Sequence, residues 1–204
     1  GYPEVIYGYK PWGQLMTAES PLLRLPQRVG DLPGLIAYVD YDVECSEGRG
    51  DLAFDLWVTR QYMPSSVTQG DLEVMVWLYH DKDFTPMGYS EPNYTLTAPT
   101  LINGVVRDAR WDVYVANPMG PGKWTYVAFT LEPPVASGSL AVPLSSLLKS
   151  VSWILSKPMG YPVDYMYLNG IEFGLEYTSR AWPPVNVRVN CGYRLRNYGI
   201  MVIP

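Results

Sequence analysis

Two glutamates, Glu73 and Glu176, and one aspartate, Asp55, are the side chains with which this chain could do chemistry. Breaking a glycosidic bond takes two carboxyls flanking the scissile oxygen, one protonated to help the leaving group depart and one ionised to attack carbon or activate water. Glu73 lies in the run Asp71 to Gly88, DLEVMVWLYHDKDFTPMG. Neighbouring side chains of a strand point to opposite faces, so Leu72, Val74, Val76 and Leu78 share one face while Glu73, Met75, Trp77 and Tyr79 share the other. The aliphatic row needs a core. The second row sets a carboxylate among large, soft side chains, the composition of a sugar-binding floor.

The run DLAFDLWVT repeats the pattern, with Leu52, Phe54, Leu56 and Val58 on one face and Ala53, Asp55, Trp57 and Thr59 on the other. A short loop, Gln61 to Gly70, joins the two runs, which predicts antiparallel neighbours with Asp55 near Glu73. An aspartate there can position a carboxylate nucleophile and perturb its proton affinity; two solvated acids on an exposed face is the alternative. Glu176 lies in YMYLNGIEFGLEYTS, where Tyr165, Tyr167, Ile171, Phe173 and Leu175 are expected on one face and Gly170, Glu172, Gly174 and Glu176 on the other. Glycines between acids leave room for a ligand to approach the backbone. Glu172 stands about 13 Å of strand from Glu176, too far to replace it as the acid. A hydrogen-bonded structural glutamate is the preferred reading of Glu172, with a charge that raises the proton affinity of Glu176 as the other.

His80 is the one histidine and has no serine or cysteine partner to form a triad. Asp40, Asp42, Glu44 and Glu47 lack the spacing of a calcium loop and read as solvated charge.

The rest of the chain must build the frame. From Val5, VIYGYKPWG reads as a short strand broken by Gly8 and Pro11 and ending on Trp12. Leu15 to Leu35, with Pro21, Pro26 and Pro33, reads as a surface connection. LIAYVDYDV, NYTLTAPTLI, RWDVYVANP, WTYVAFTLE and the closing VNVRVNCGYRLRNYGIMV are strand-like, the last with Arg188, Arg194 and Arg196 at the surface. The helical period occurs once, at Leu144, Leu147, Leu148, Val151, Ile154 and Leu155, between Pro143 in a first turn and Pro158 as a stop. Many short strands and one helix, over about residues 143–156, predict an all-β jelly-roll sandwich of two stacked antiparallel sheets with a concave groove, one domain over residues 1–204.

The 204 residues are 48% apolar and 14% aromatic, which excludes a disordered chain. Net charge is −5 with only 17% charged residues, so no basic field exists to hold nucleic acid. No apolar run is long enough for a membrane helix. Cys45 and Cys191 are candidates for one disulfide, which would suit a secreted protein and add about 4–5 kcal/mol; two buried free thiols is the alternative.

EVMVWL followed by PMG resembles the nucleophile strand and following cord of glycoside hydrolase family 12, with the pattern E-x-M-x-W-L and then P-x-G. FDLWVT resembles the family's Y-D-L-F-T, IEFGLEYTS its Q-x-G-T-E-P-F-T, and KPWG its N-L-W-G. The matches fall in order over nearly the whole chain. The resemblance implies Glu73 as nucleophile, Glu176 as general acid and then base, and Asp55 as the acid beside the nucleophile. It further implies Trp12, Met75, Trp77, Pro86 and Gly88 as cleft residues; Trp124, Lys10 and Glu172 are also expected to meet substrate. Lys10 stands where the family has Asn, Glu172 where it has Gln, and Leu175 and Tyr177 where it has Thr and Pro.

The implied protein is a secreted, monomeric, retaining endo-β-1,4-glucanase acting on β-1,4-glucan or mixed-linkage β-glucan, with carboxyls about 5–5.5 Å apart and no metal or cofactor. A xyloglucan-specific enzyme of the same family, a lectin-like glycan-binding module without catalysis, and a structural β-sandwich are the alternatives.

Overall fold

A computed structural model describes residues 2–13, 15–17, 20–119, 123–159, 162–179 and 189–203; Arg188 lies outside them. The strands are β1 (Glu4–Lys10), β2 (Leu15–Met16), β3 (Gln27–Arg28), β4 (Gly34–Cys45), β5 (Arg49–Thr59), β6 (Leu72–His80) and β7 (Tyr94–Ile102). They continue with β8 (Val105–Ala116), β9 (Thr125–Glu132), β10 (Ser137–Val142), β11 (Tyr167–Thr178) and β12 (Cys191–Ile203), and the helix is α1 (Leu144–Met159).

The expected jelly-roll sandwich is realised as one sheet that curls back on itself, in the order β12-β4-β10-β7-β8-β9-β6-β5-β11-β1-β2, with β3 beside β11. Among the described residues every strand pairing is antiparallel except β6 with β9, which run parallel. The core fills the space between the two arms of the curl. Leu52, Phe54, Leu56 and Val58 of β5 and Leu72, Val74, Val76 and Leu78 of β6 enter it, as their alternation predicts, and meet Leu35, Ala37, Val39 and Tyr41 of β4. All six apolar residues of the helical stripe are buried in the same cluster, each contributing roughly 1.5–3 kcal/mol of burial. The helix packs against β4, and Leu35 donates its N–H to Ser145 Oγ at 2.9 Å across that contact.

Four local expectations need correction. β1 is not broken at Gly8; it changes partner there. Glu4 to Gly8 pair with β11 while Tyr9 and Lys10 pair with β2, and Gly8 takes a left-handed φ of 93° that a side chain would resist. The stretch from Leu15 to Leu35 is more than a surface connection, because Leu23, Leu25, Val29, Leu32 and Leu35 are all buried; its prolines hide the periodicity without removing the anchors. The helix runs to Met159, past Pro158, whose missing N–H forfeits one bond in the last turn.

The fourth concerns β11, where a bulge between Leu168 and Gly170 reverses the alternation. Leu168 therefore joins Ile171, Phe173 and Leu175 in the core, while Tyr165 is exposed before the strand begins and Tyr167 meets Tyr62 edge-on. A second shift, opposite Leu52 and Ala53, turns Tyr79 toward the core. Cys45 and Cys191 are bonded, tying β4 to β12.

Candidate active site

The concave face of the curl is built on β6, β5 and β11, which lie side by side. Cross-strand partners step along it in rows: Glu73 beside Trp57, then Met75–Asp55–Glu172, then Trp77–Ala53–Gly174, then His80–Asp51–Glu176. Acids thus occupy the rows on both sides of the small pair Ala53 and Gly174. From the row of Trp57 to that of Asp51 is six residues of β5, about 20 Å if the strand were flat. The charge of Glu176 nevertheless bears on Glu73, Asp55 and Asp51 alike.

Glu73 is half-buried, and the indole N–H of Trp124 donates to its Oε2 at 2.5 Å. Burial pushes its pKa up to about 7, opposed by the Trp124 bond and assisted by the charge of Glu176. Trp124 packs against Trp12 and Trp57 with ring centroids 5.2 and 5.8 Å away, and Trp12 meets Trp57 at 5.0 Å. Trp12 is 43% exposed, a platform at the rim.

Asp55 is only 4% exposed, so the alternative of solvated acids on an open face falls. Its Oδ1 has no hydrogen-bond partner among the described residues. Burial holds its proton affinity well above the usual carboxylate range, with the charges of Glu73, Glu172 and Glu176 adding to it and Lys10 opposing. Asp55 and Glu73 therefore do not both ionise readily. The donor on Glu73 favours that residue as the anion.

Glu172 is hydrogen-bonded, as its preferred reading has it. Trp57 Nε1 donates to Oε1 at 3.2 Å and Lys10 Nζ to Oε2 at 3.1 Å, while Lys10 also reaches Glu4 Oε1 at 2.5 Å. Burial and the adjacent Glu4 push Glu172 up to about 8 against the pull of Lys10. Burial likewise raises Glu176, the last acid of the face.

Met75, Trp77 and Pro86 are closed off from solvent and form the layer beneath the cleft. Met75 Sδ accepts from Trp77 Nε1 at 3.4 Å and from Tyr126 Oη at 3.3 Å, and Trp77 stacks on Phe84 at 5.7 Å. Gly88 ends a short turn, Pro86–Gly88, in which Met87 takes a φ of 53°. The room expected beside the glycines of β11 is taken by the chain itself. A side chain at Gly174 would meet Pro3 and the Tyr2 ring, and one at Gly170 the carbonyl of Tyr9. Tyr2 leans over Gly174, its hydroxyl among the charges of Asp55, Glu172, Asp51 and Glu176.

Elsewhere, His80 Nε2 lies 3.0 Å from Glu132 Oε1, with no serine or cysteine in the pairing. Asp40 and Asp42 are surface carboxylates, as expected, and both are held by Arg196, Asp40 at 2.6 Å. An apolar cavity between the arms is lined by Val5, Tyr7, Leu23, Phe54, Ile171 and Val202, with Glu172 the one acid among the described residues of its lining.

Asp51, Tyr126, Glu4 and Tyr2 join the site without having been singled out in the sequence. Asp51 was within reach, since it precedes Asp55 by four residues and so shares its face. Tyr126 has the same parity as Ala128 in WTYVAFTLE, and both line the concave side. Glu4 and Tyr2 arrive through the pairing of β1 with β11, for which a single sequence carries no signal.

Residues 2–191 match the family model of glycosyl hydrolase family 12. Among solved structures, a metagenome-derived glycoside hydrolase family 12 endoglucanase is similar at a TM-score of 0.66 and 21% identity, over 98% of this chain and 72% of that one. An endoglucanase from Rhodothermus marinus is similar at 0.65 and 22%, over 98% and 74% of the two chains. A family 12 xyloglucanase from Bacillus licheniformis is similar at 0.65 and 16%, over the same shares. These likenesses show the fold. No curated protein sequence matches the chain.

Proposed function

The chain belongs to glycosyl hydrolase family 12, and from that premise we propose that it is an endo-β-1,4-glucanase that cuts internal bonds of β-glucans with retention of configuration. The observation that carries this reading is a pair of half-buried acids, Glu73 and Glu176, near enough that the charge of one bears on the other. Glu73 attacks the anomeric carbon as Glu176 gives its proton to the departing oxygen, and Glu176 then takes a proton from the water that releases the sugar. A carboxyl separation of about 5–5.5 Å belongs to this route. Asp55, keeping its own proton beside Glu73, leaves the nucleophile as the ionised member.

Trp12 and Trp124 offer ring faces to the sugar, over a floor of Met75, Trp77, Pro86 and Gly88, while Lys10 and Glu172 fix the wall through Trp57. The disulfide supports an extracellular setting. The xyloglucanase among the similar structures makes xyloglucan the second substrate to try.

Reducing-sugar release from barley β-glucan, carboxymethylcellulose and xyloglucan, by the wild type, Glu73→Gln and Glu176→Gln, is the test. Release by the wild type and its loss in both variants is expected. A wild type that binds glucan without cutting it would make the protein a binding module.

A further inference from the structure

Asp51 is wholly buried, and neither of its carboxyl oxygens has a hydrogen-bond partner among the described residues. A buried carboxyl without partners is costly in either form and far costlier when charged. Its Cα partner on β11 is Glu176, on the same concave face, and side chains so paired have Cβ atoms about 4.5–5.5 Å apart. Gly50 allows β11 to lie close, since a Cβ there would run into the Glu176 carbonyl. Resting on the glucanase reading, we propose that Asp51 is a positioning residue: a neutral carboxyl, without a partner in the resting site, whose O–H turns to Glu176 and steadies that acid as it loses its proton.

The surroundings fit a neutral Asp51. The titratable groups facing it are Asp55 on its own strand, Glu176 and Glu172 on β11, Glu73 and His80 on β6, Tyr126 on β9 and Tyr2 ahead of β1. His80 is the only group among these that can carry positive charge, and its Nε2 is engaged by Glu132. Lys10 is held by Glu4 and Glu172, in the row of Asp55 and beyond. Burial is the largest influence on Asp51, followed by Glu176 and Glu73, and all three raise its proton affinity.

In the first step the Glu176 proton passes to the glycosidic oxygen, which takes the electron pair of the breaking carbon–oxygen bond. The new Glu176 carboxylate accepts the O–H of Asp51, which keeps its proton throughout. Such a charge-assisted bond is strongest when Glu176 is ionised, so it favours the transition state over the resting acid.

The test compares pH profiles of kcat and KM for wild type, Asp51→Asn and Asp51→Leu on barley β-glucan. An amide donates more weakly than an acid and leucine not at all, so Glu176 should hold its proton to higher pH in that order. The alkaline limb is expected to move up by about one unit in Asp51→Asn and further in Asp51→Leu. With KM little changed, kcat should fall about 10- to 100-fold in Asp51→Leu and less in Asp51→Asn. Alkaline limbs that superimpose on the wild type would overturn the proposal. Should the variants not fold, the side-chain carboxyl 13C resonance of Asp51 in labelled wild type decides: it is expected to keep its protonated position through neutral pH, and titration below about pH 5 would overturn the assignment. A wild type without glucanase activity removes the glucanase reading, while the resonance still reports whether Asp51 is a neutral donor.

Discussion

Replacing Trp124 by Phe removes one hydrogen bond from the nucleophile and keeps an aromatic ring against Trp12 and Trp57. A bond to a charged group is worth about 1.5–3 kcal/mol, and one pKa unit corresponds to about 1.36 kcal/mol, which gives one to two units. Glu73 is half-buried and partly screened, so the lower end applies, about one unit. Loss of a donor to the carboxylate favours the protonated form, and a proton on Glu73 blocks attack. The acid limb of kcat/KM should therefore move upward by about one unit from its starting point near the Glu73 pKa of about 7. Below the limb, activity at a fixed pH falls about tenfold, while above it the loss is confined to weaker stacking and a higher KM. Initial rates at low substrate over a pH series measure this. Trp12→Phe is the control, because it disturbs the same ring cluster without touching the carboxylate. An acid limb that stays put in Trp124→Phe, or moves equally in Trp12→Phe, refutes the assigned role.

Two further predictions concern stability. Asp51, Asp55, Glu73, Glu172 and Glu176 all hold protons more tightly when folded than ordinary carboxyls do, Glu73 to about 7 and Glu172 to about 8. Groups raised on folding stabilise fully below their unfolded pKa near 4, and that contribution is lost as pH climbs through the folded values. Melting temperature should therefore fall between about pH 4 and pH 8, by roughly 2–5 kcal/mol in stability since coupled groups share protons; a flat or rising curve contradicts the buried-acid picture. Asp40 and Asp42, lowered by hydrogen bonds and by Arg196, work in the opposite direction, but from the exposed surface. Opening the disulfide, which spans 146 residues, by Cys45→Ser should cost about 2–5 kcal/mol in denaturant unfolding, and an unchanged midpoint would show that the strand pairing suffices.

What could be read from the sequence was whatever alternation or helical spacing records within one element. The core rows of β5 and β6, the helix stripe and the shared face of Asp55 and Glu73 are local periodicities, and the structure repeats them. Where a bulge inserts a residue, as between Leu168 and Gly170 in β11 or opposite Leu52, parity flips and the reading of Tyr167 and Tyr79 goes astray. The bulge is fixed by contacts between strands, so nothing in the fifteen letters from Tyr165 to Ser179 announces it. The same holds for Glu4 on Lys10 and for Tyr2 over Gly174, which depend on β1 docking beside a strand far along the chain. Asp51 is different: it opens the run DLAFDLWVT with the parity of Asp55, so its face was legible.

Glu73 and Glu176 stand six residues apart along β5, on the strands to either side of it, so the distance between the two carboxyls depends on how the sheet bends between them. A tighter bend shortens that distance, and the small residues Ala53 and Gly174 hold a row between those of the two acids. Spacing that decides between attack by a carboxylate and attack by water is then a mechanical property, set by strand curvature as much as by the acids. Substitutions at the two bulges, which touch neither glutamate, would retune it as a change in a spring's bend moves its ends.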